Sequence, residues 1–106
     1  MGKPENRITR AIRQVLSGLG IFHWKVMQGM GSTPGCPDIV GIWPPHLDEH
    51  TAGQFIGIEV KTPGGVLSKH QERFLDSIKR SGGIGIVCRD VDDVIDGLGI
   101  RKRFLF

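Results

Sequence analysis

Ile8, Ile12, Leu16 and Leu19 recur at helical spacing, with Arg7, Arg10, Arg13 and Gln14 between them. This predicts an amphipathic helix from Glu5 to about Leu19, closed near Gly18 and Gly20. From Ile21 to Met27 the rhythm changes to alternation, with Ile21, His23, Lys25 and Met27 on one face and Phe22, Trp24 and Val26 on the other, which predicts a strand. Gly29 to Gly35 is too rich in glycine for a regular element. Asp38 to Trp43 reads as a second strand halted by Pro44-Pro45, and Phe55 to Thr62 as its antiparallel partner, with the polar segment His46 to Gln54 between them. Beyond Pro63-Gly64-Gly65, Ser68-Lys69-His70-Gln71 has the form of a capping box, and Phe74, Leu75 and Ile78 follow on one face of a second helix that Gly82-Gly83 ends. Ile84 to Arg89 is a short buried strand and Asp90 to Leu98 a last helix. The order α-β-β-β-α-β-α predicts an α/β fold: a small mixed sheet with helix on each face.

Length changes this picture little. A chain of 106 residues is expected to form one domain over 1–106, with a core of its own. No apolar run approaches the ~20 residues of a membrane span. The basic N-terminus lacks the apolar stretch of a secretory signal. Cys36 and Cys88 are isolated, so a disulfide framework is not expected. A cytoplasmic location follows, either nucleoid-associated or in the cytoplasm of a host cell. Charge is more informative in its distribution than in its total of +3. Residues 1–35 carry five positive and one negative side chain, residues 36–66 one and four, and residues 67–106 eight and six. An acidic centre flanked by basic segments suits an anionic polymer gripped at its sides and met by metal in the middle.

The acidic centre holds the candidate chemistry. Side chains alternate across a strand, so Glu59 and Lys61 project from one face while Ile58 and Val60 point to the other. If the strand beginning at Asp38 lies beside the one ending at Lys61, a second carboxylate joins the pair. Two acids and a cation then make an oxygen-rich pocket suited to Mg²⁺, with Asp38 and Glu59 as ligands. A metal there would lower the pKa of a water and stabilise charge on phosphoryl oxygens, and Lys61 could orient that water or neutralise the phosphate. Without Asp38, the Glu59/Lys61 spacing reads equally well as a salt bridge on an exposed strand. Two further polar residues lie on apolar stripes. Glu5 shares the Ile8, Ile12 and Leu16 face of the first helix, where a buried acid would need a partner. Gln71 precedes Phe74, Leu75 and Ile78 on theirs, although position N3 of a capping box also accounts for it.

Gly35-Cys36-Pro37-Asp38, Glu59-Val60-Lys61-Thr62-Pro63-Gly64-Gly65 and Leu67-Ser68-Lys69-His70-Gln71, in this order, resemble the PD-(D/E)XK nuclease superfamily and its VRR-NUC branch, from about Glu5 to Val94. Val87-Cys88-Arg89 departs from the Val-Arg-Arg string of that branch. The resemblance implies a restriction-endonuclease-like αβββαβ core and hydrolysis of DNA phosphodiesters with Mg²⁺, for which Mn²⁺ substitutes, at one or two ions per site. It further implies catalytic roles for Asp38, Glu59, Lys61 and Gln71, and a metal site formed by Glu5, Asp38, Glu59 and the backbone carbonyl of Val60. Stand-alone relatives resemble Holliday junction resolvases, whereas the Fanconi-associated nuclease places the same module behind further DNA-binding domains. The expectation is a homodimer that cuts branched DNA, with flaps or linear duplex as the alternative substrates and a non-catalytic DNA-binding module as the alternative function.

Other features are weaker. His46-Leu47-Asp48-Glu49-His50 matches the H-x-x-E-H string of a zinc peptidase family, yet prolines before it and Thr51-Ala52-Gly53 after it leave barely one helical turn, so a solvated loop is expected. No aromatic ladder for stacking bases is evident. Grip on DNA is expected through phosphates, from Lys3, Arg7, Arg10, Arg13, Ser68, Lys69, Arg73 and Arg101-Lys102-Arg103. Phe104-Leu105-Phe106 is a candidate for the dimer interface or a cover for the core.

Overall fold

The computed structural model describes residues 4–29, 33–45 and 52–100. Seven elements follow in the predicted order: α1 (Pro4–Gly18), β1 (His23–Lys25), β2 (Ile39–Trp43), β3 (Gln54–Val60), α2 (Lys69–Arg80), β4 (Ile84–Cys88) and α3 (Val91–Gly97). The H-x-x-E-H string at 46–50, Lys3, the tip of the glycine-rich loop at 30–32 and the segment 101–106 lie outside the described residues.

Most elements end within a residue or two of their sequence pattern, and one is much shorter. Alternation predicts a strand from Ile21 to Met27, but β1 holds three residues. The first part of the pattern goes to the helix stop: Gly20, at φ +71°, donates to the Ser17 carbonyl at 3.0 Å, and Ile21 donates to that of Leu16 at 2.9 Å. These two bonds form a Schellman cap, which only a left-handed residue closes easily. Ile21 is therefore buried as the end of a helix, while its neighbour Phe22 begins the sheet hydrogen bonding by accepting from Ile42 N–H at 3.0 Å.

The sheet order is β1-β2-β3-β4. The first three strands form an antiparallel meander, and β4 returns parallel to β3 after α2. Register divides the side chains between two faces. Ile39, Trp43, Ile56, Ile58, Val60 and Cys88 share one face, where Ile12 and Leu16 of α1 and Val94 of α3, with Leu98 just beyond it, complete the core. The other face carries Phe22, Trp24, Ile42, Phe55, Gly57, Glu59 and Gly85. Helix α2 lies on it over the glycine pair Gly57 and Gly85, which oppose each other in register. A Cβ on Gly57 would stand 2.6 Å from Ile78 Cδ1, and one on Gly85 would stand 3.0 Å from the Leu75 carbonyl, so the two glycines bring the helix close to the strands. Phe22, Trp24, Ile42 and Phe55 remain exposed on this face, with the Phe22 and Trp24 rings 5.4 Å apart. No helix among the described residues is long and apolar enough to cross a membrane.

Candidate active site

Asp38 and Glu59 meet at one end of the β2/β3 hairpin. Ile39 pairs with Ile58, so the residue before β2 falls beside the residue after Ile58, and both carboxyl groups project from the face that bears α2. Backbone contacts fix this placement. The Val60 N–H donates to Asp38 Oδ2 at 2.8 Å, and Val26 N–H donates to the Asp38 carbonyl at 2.8 Å, so Asp38 is held from both neighbouring strands. Pro37, fully buried, sits against Gly57, where a Cβ would approach its ring at 3.0 Å. Gly35, at φ +83°, lies so close to the first turn of α2 that an added Cβ would fall on the His70 carbonyl. The Gly-Cys-Pro-Asp run is thus a clamp between α2 and β3 that aims one carboxylate.

Glu59 is only 2% exposed, and its Oε2 is buried without a hydrogen-bond partner among the described residues. A carboxylate cannot be held there at ordinary cost. Burial, hydrogen bonding to Asp38 and the charges of Asp38 and Glu5 together push the Glu59 carboxyl up to about 9, against an opposing pull from the Lys61 ammonium. Near neutral pH Glu59 therefore keeps its proton. The same two acids, behind burial as the larger cause, raise the Cys36 thiol, which disfavours its thiolate.

Lys61 follows the last residue of β3 and is half-buried. Its N–H donates to the Cys88 carbonyl at 3.0 Å, which continues the parallel ladder one residue past the strand. The following turn is closed by Gly65 N–H to the Thr62 carbonyl at 2.9 Å and pinned by the Arg89 guanidinium, which donates to the Gly65 carbonyl at 2.7 Å. Arg89 itself is fixed through its N–H to Asp93 Oδ2 at 2.8 Å. The final residue predicted for β4 is therefore the anchor of the loop that carries the lysine, a role with no signal in the local sequence because its target lies 24 residues away.

The other sequence candidates divide. Glu5 is exposed rather than buried on the apolar stripe of α1, in the helix's first turn. Its charge nevertheless reaches Glu59. Among the described residues no three His, Cys, Asp or Glu side chains are grouped as a ready metal site, so a third ligand would come from elsewhere, such as the Val60 carbonyl or water. Gln71 is half-buried and completes the capping box: its Oε1 accepts from Ser68 N–H at 2.9 Å and its N–H donates to Ser68 Oγ at 3.1 Å. Its amide NH₂ is the donor available for any contact with substrate. Lys69 is exposed in the first turn of α2. Arg73 lies in a groove of mixed charge along the outer edge of β4, with Glu72, Asp76 and Asp93 facing Lys79 and Arg89. Arg7 and Arg10 are exposed on α1. Trp24 has no motif to mark it; it opposes Val40, two positions from Asp38 on the same face, which is visible only once the register is known.

The family model of the VRR-NUC domain matches residues 3–92. The chain belongs to the VRR-NUC family. A solved structure titled "VRR_NUC domain" shares the fold of this VRR-NUC chain at TM-score 0.69 and 19% identity, covering 97% of this chain and 99% of the other. No curated protein matched the chain. Membership makes this a nuclease-type domain acting on nucleic acid, and it places Asp38, Glu59 and Lys61 within the matched segment.

Proposed function

We propose that this VRR-NUC domain is a Mg²⁺-dependent DNA endonuclease that hydrolyses phosphodiesters at the Asp38/Glu59/Lys61 site. The observation that carries the reading is Glu59, buried beside Asp38 with an oxygen that has no partner among the described residues. Such an acid is unfavourable as a carboxylate in isolation and becomes favourable when a hard cation takes the place of its proton. Asp38, Glu59 and the Val60 carbonyl would hold Mg²⁺ or Mn²⁺, with Glu5 near enough to add charge or support a second ion. The metal, when bound, supplies Lewis acidity and a water of lowered pKa. Lys61, held by the Cys88 ladder bond and the loop pinned by Arg89, presents its ammonium beside Glu59 to orient that water or counter phosphate charge. The Gln71 amide, at the neighbouring helix start, would assist. One such site cuts one strand, so paired incisions across a symmetric branched substrate call for two subunits. We take branched DNA, with the four-way junction first, as the substrate and a homodimer as the active form.

The test is cleavage of end-labelled four-way junction, 5′-flap and linear duplex, with Mg²⁺ or EDTA, by the wild type and by Lys61→Ala. The expected result is paired incision of the junction, abolished by EDTA and reduced by about 10²-fold or more in the variant. Cleavage of flap or linear duplex instead would keep the chemistry and discard the substrate. DNA binding without cleavage under any of these conditions would overturn the catalytic reading in favour of a binding module.

A further inference from the structure

A second groove, of about 510 Å³, lies between α1 and β1 on the side of the sheet away from α2. Its cations are Arg10 and Arg13 from the helix and Lys25 from the strand, interleaved with Asn6, Thr9 and Gln14, and no acidic side chain among the described residues lines it. This contrasts with the β4 groove, where acids and bases are mixed. Asn6, Arg10 and Arg13 fall at steps of four and three, one stripe of the helix surface. Lys25 reaches the same stripe because it shares the sheet face of Ile39, the face on which α1 packs. The Arg13 Nε is buried and has no hydrogen-bond partner among the described residues. A guanidinium nitrogen withdrawn from water and unpaired is costly, and an anion in the groove would satisfy it. Asn6 adjoins Glu5, whose charge reaches Glu59, so the groove starts at the catalytic end of α1 and leads away from it.

We propose that this groove is a phosphate-backbone site, in which Arg10, Arg13 and Lys25 hold successive phosphodiesters of the nucleic-acid arm flanking the scissile bond. Asn6 to Arg13 covers about 10 Å of helix axis, close to the rise of three nucleotides in a duplex strand at ~3.4 Å each. The neutral side chains between the cations can donate to phosphate oxygens without adding opposing charge. The choice of nucleic acid as the anion rests on the nuclease reading above; the groove itself does not take part in hydrolysis.

Binding and chemistry separate in the test. Affinity for an end-labelled flapped duplex is measured in EDTA against salt concentration for the wild type, for the double variant Arg10→Gln/Lys25→Gln, and for Arg80→Gln as a control that removes one positive charge from α2. Both groove residues are exposed, so folding is retained and the thermal midpoint verifies it. The double variant should bind roughly tenfold or more weakly, with a salt slope shallower by nearly 2, about 0.9 for each phosphate that is no longer neutralised. Arg13→Lys, which keeps charge but lacks Nε, should weaken binding while leaving the slope near that of the wild type. Hydrolysis of bis(p-nitrophenyl) phosphate by the wild type with Mg²⁺ reads the chemistry separately from the groove. A double variant with wild-type affinity and slope, or a comparable loss per charge in Arg80→Gln, overturns the proposal. A wild type that hydrolyses neither ester nor DNA refutes the catalytic reading alone, and the slope comparison still decides the groove.

Discussion

Glu59 carries a conflict that an ordinary core residue would not. Unfolded, its carboxyl titrates near the usual 4.5; folded, it is pushed up to about 9. Between these values the native state holds a proton that the unfolded chain has released, so stability falls as pH rises through the interval and is greatest below it. Glu59→Gln removes the ionisation while keeping the shape. It should stabilise the metal-free protein at pH 8 by about 1–3 kcal/mol and flatten the decline between pH 5 and pH 8, as read by denaturant titration at both values. The same variant should lose cleavage, and Mg²⁺ should raise the thermal midpoint of the wild type but not of the variant. A variant less stable than the wild type at pH 8 would show that the buried acid is satisfied in a way the orphaned Oε2 denies. At this scale the sequence is informative where chemistry follows from alternation: strand periodicity puts Glu59 and Lys61 on one face, and the register of β2 on β3 adds Asp38. It misplaces Glu5 on the buried stripe, because helical spacing gives the angle of a side chain around the axis but not how far burial extends into the helix's first turn.

Elements position the site through close approaches that only glycine allows. Gly35 meets the His70 carbonyl at the start of α2, and its φ of +83° is itself unfavourable for other residues. Gly35→Ala should cost about 2 kcal/mol or more and displace the Pro37-Asp38 clamp. A lower unfolding midpoint together with a loss of Mg²⁺-induced stabilisation would report both effects, and an unchanged midpoint would show that the loop relaxes freely. The two helices around the site and the β2/β3 hairpin are legible because caps, turn residues and periodicity agree with one another: Ser68 and Gln71 form the predicted capping box with both bonds present. The first strand is over-extended in the pattern for a physical reason. Ile21 alternates correctly for a strand, but its backbone is committed to the Schellman cap of α1, and a hydrophobic pattern cannot tell which backbone partner a residue takes.

For the molecule as a whole, the mixed four-stranded sheet with α1 and α3 on one face and α2 on the other is the architecture that the element order implies. What no order of elements could reveal is the meeting of distant surfaces: Lys25 with Arg10 and Arg13, Arg89 with Gly65, and Trp24 with the face of Asp38 and Glu59. The last of these has an optical consequence. The chain has two tryptophans, and the sheet separates them completely: Trp43 is 2% exposed in the core, whereas Trp24 is 44% exposed on the opposite face, two positions from the acid pair. Emission should therefore resolve into a shielded component and one open to acrylamide, and Trp24→Phe should delete the open one. Adding DNA in EDTA should close the accessible component while leaving the other untouched. An accessible fraction indifferent to DNA would mean that the strand passes the catalytic end without crossing this face. The protein thus carries its own unlabelled light signal for substrate at the site, with an internal reference a sheet's thickness away.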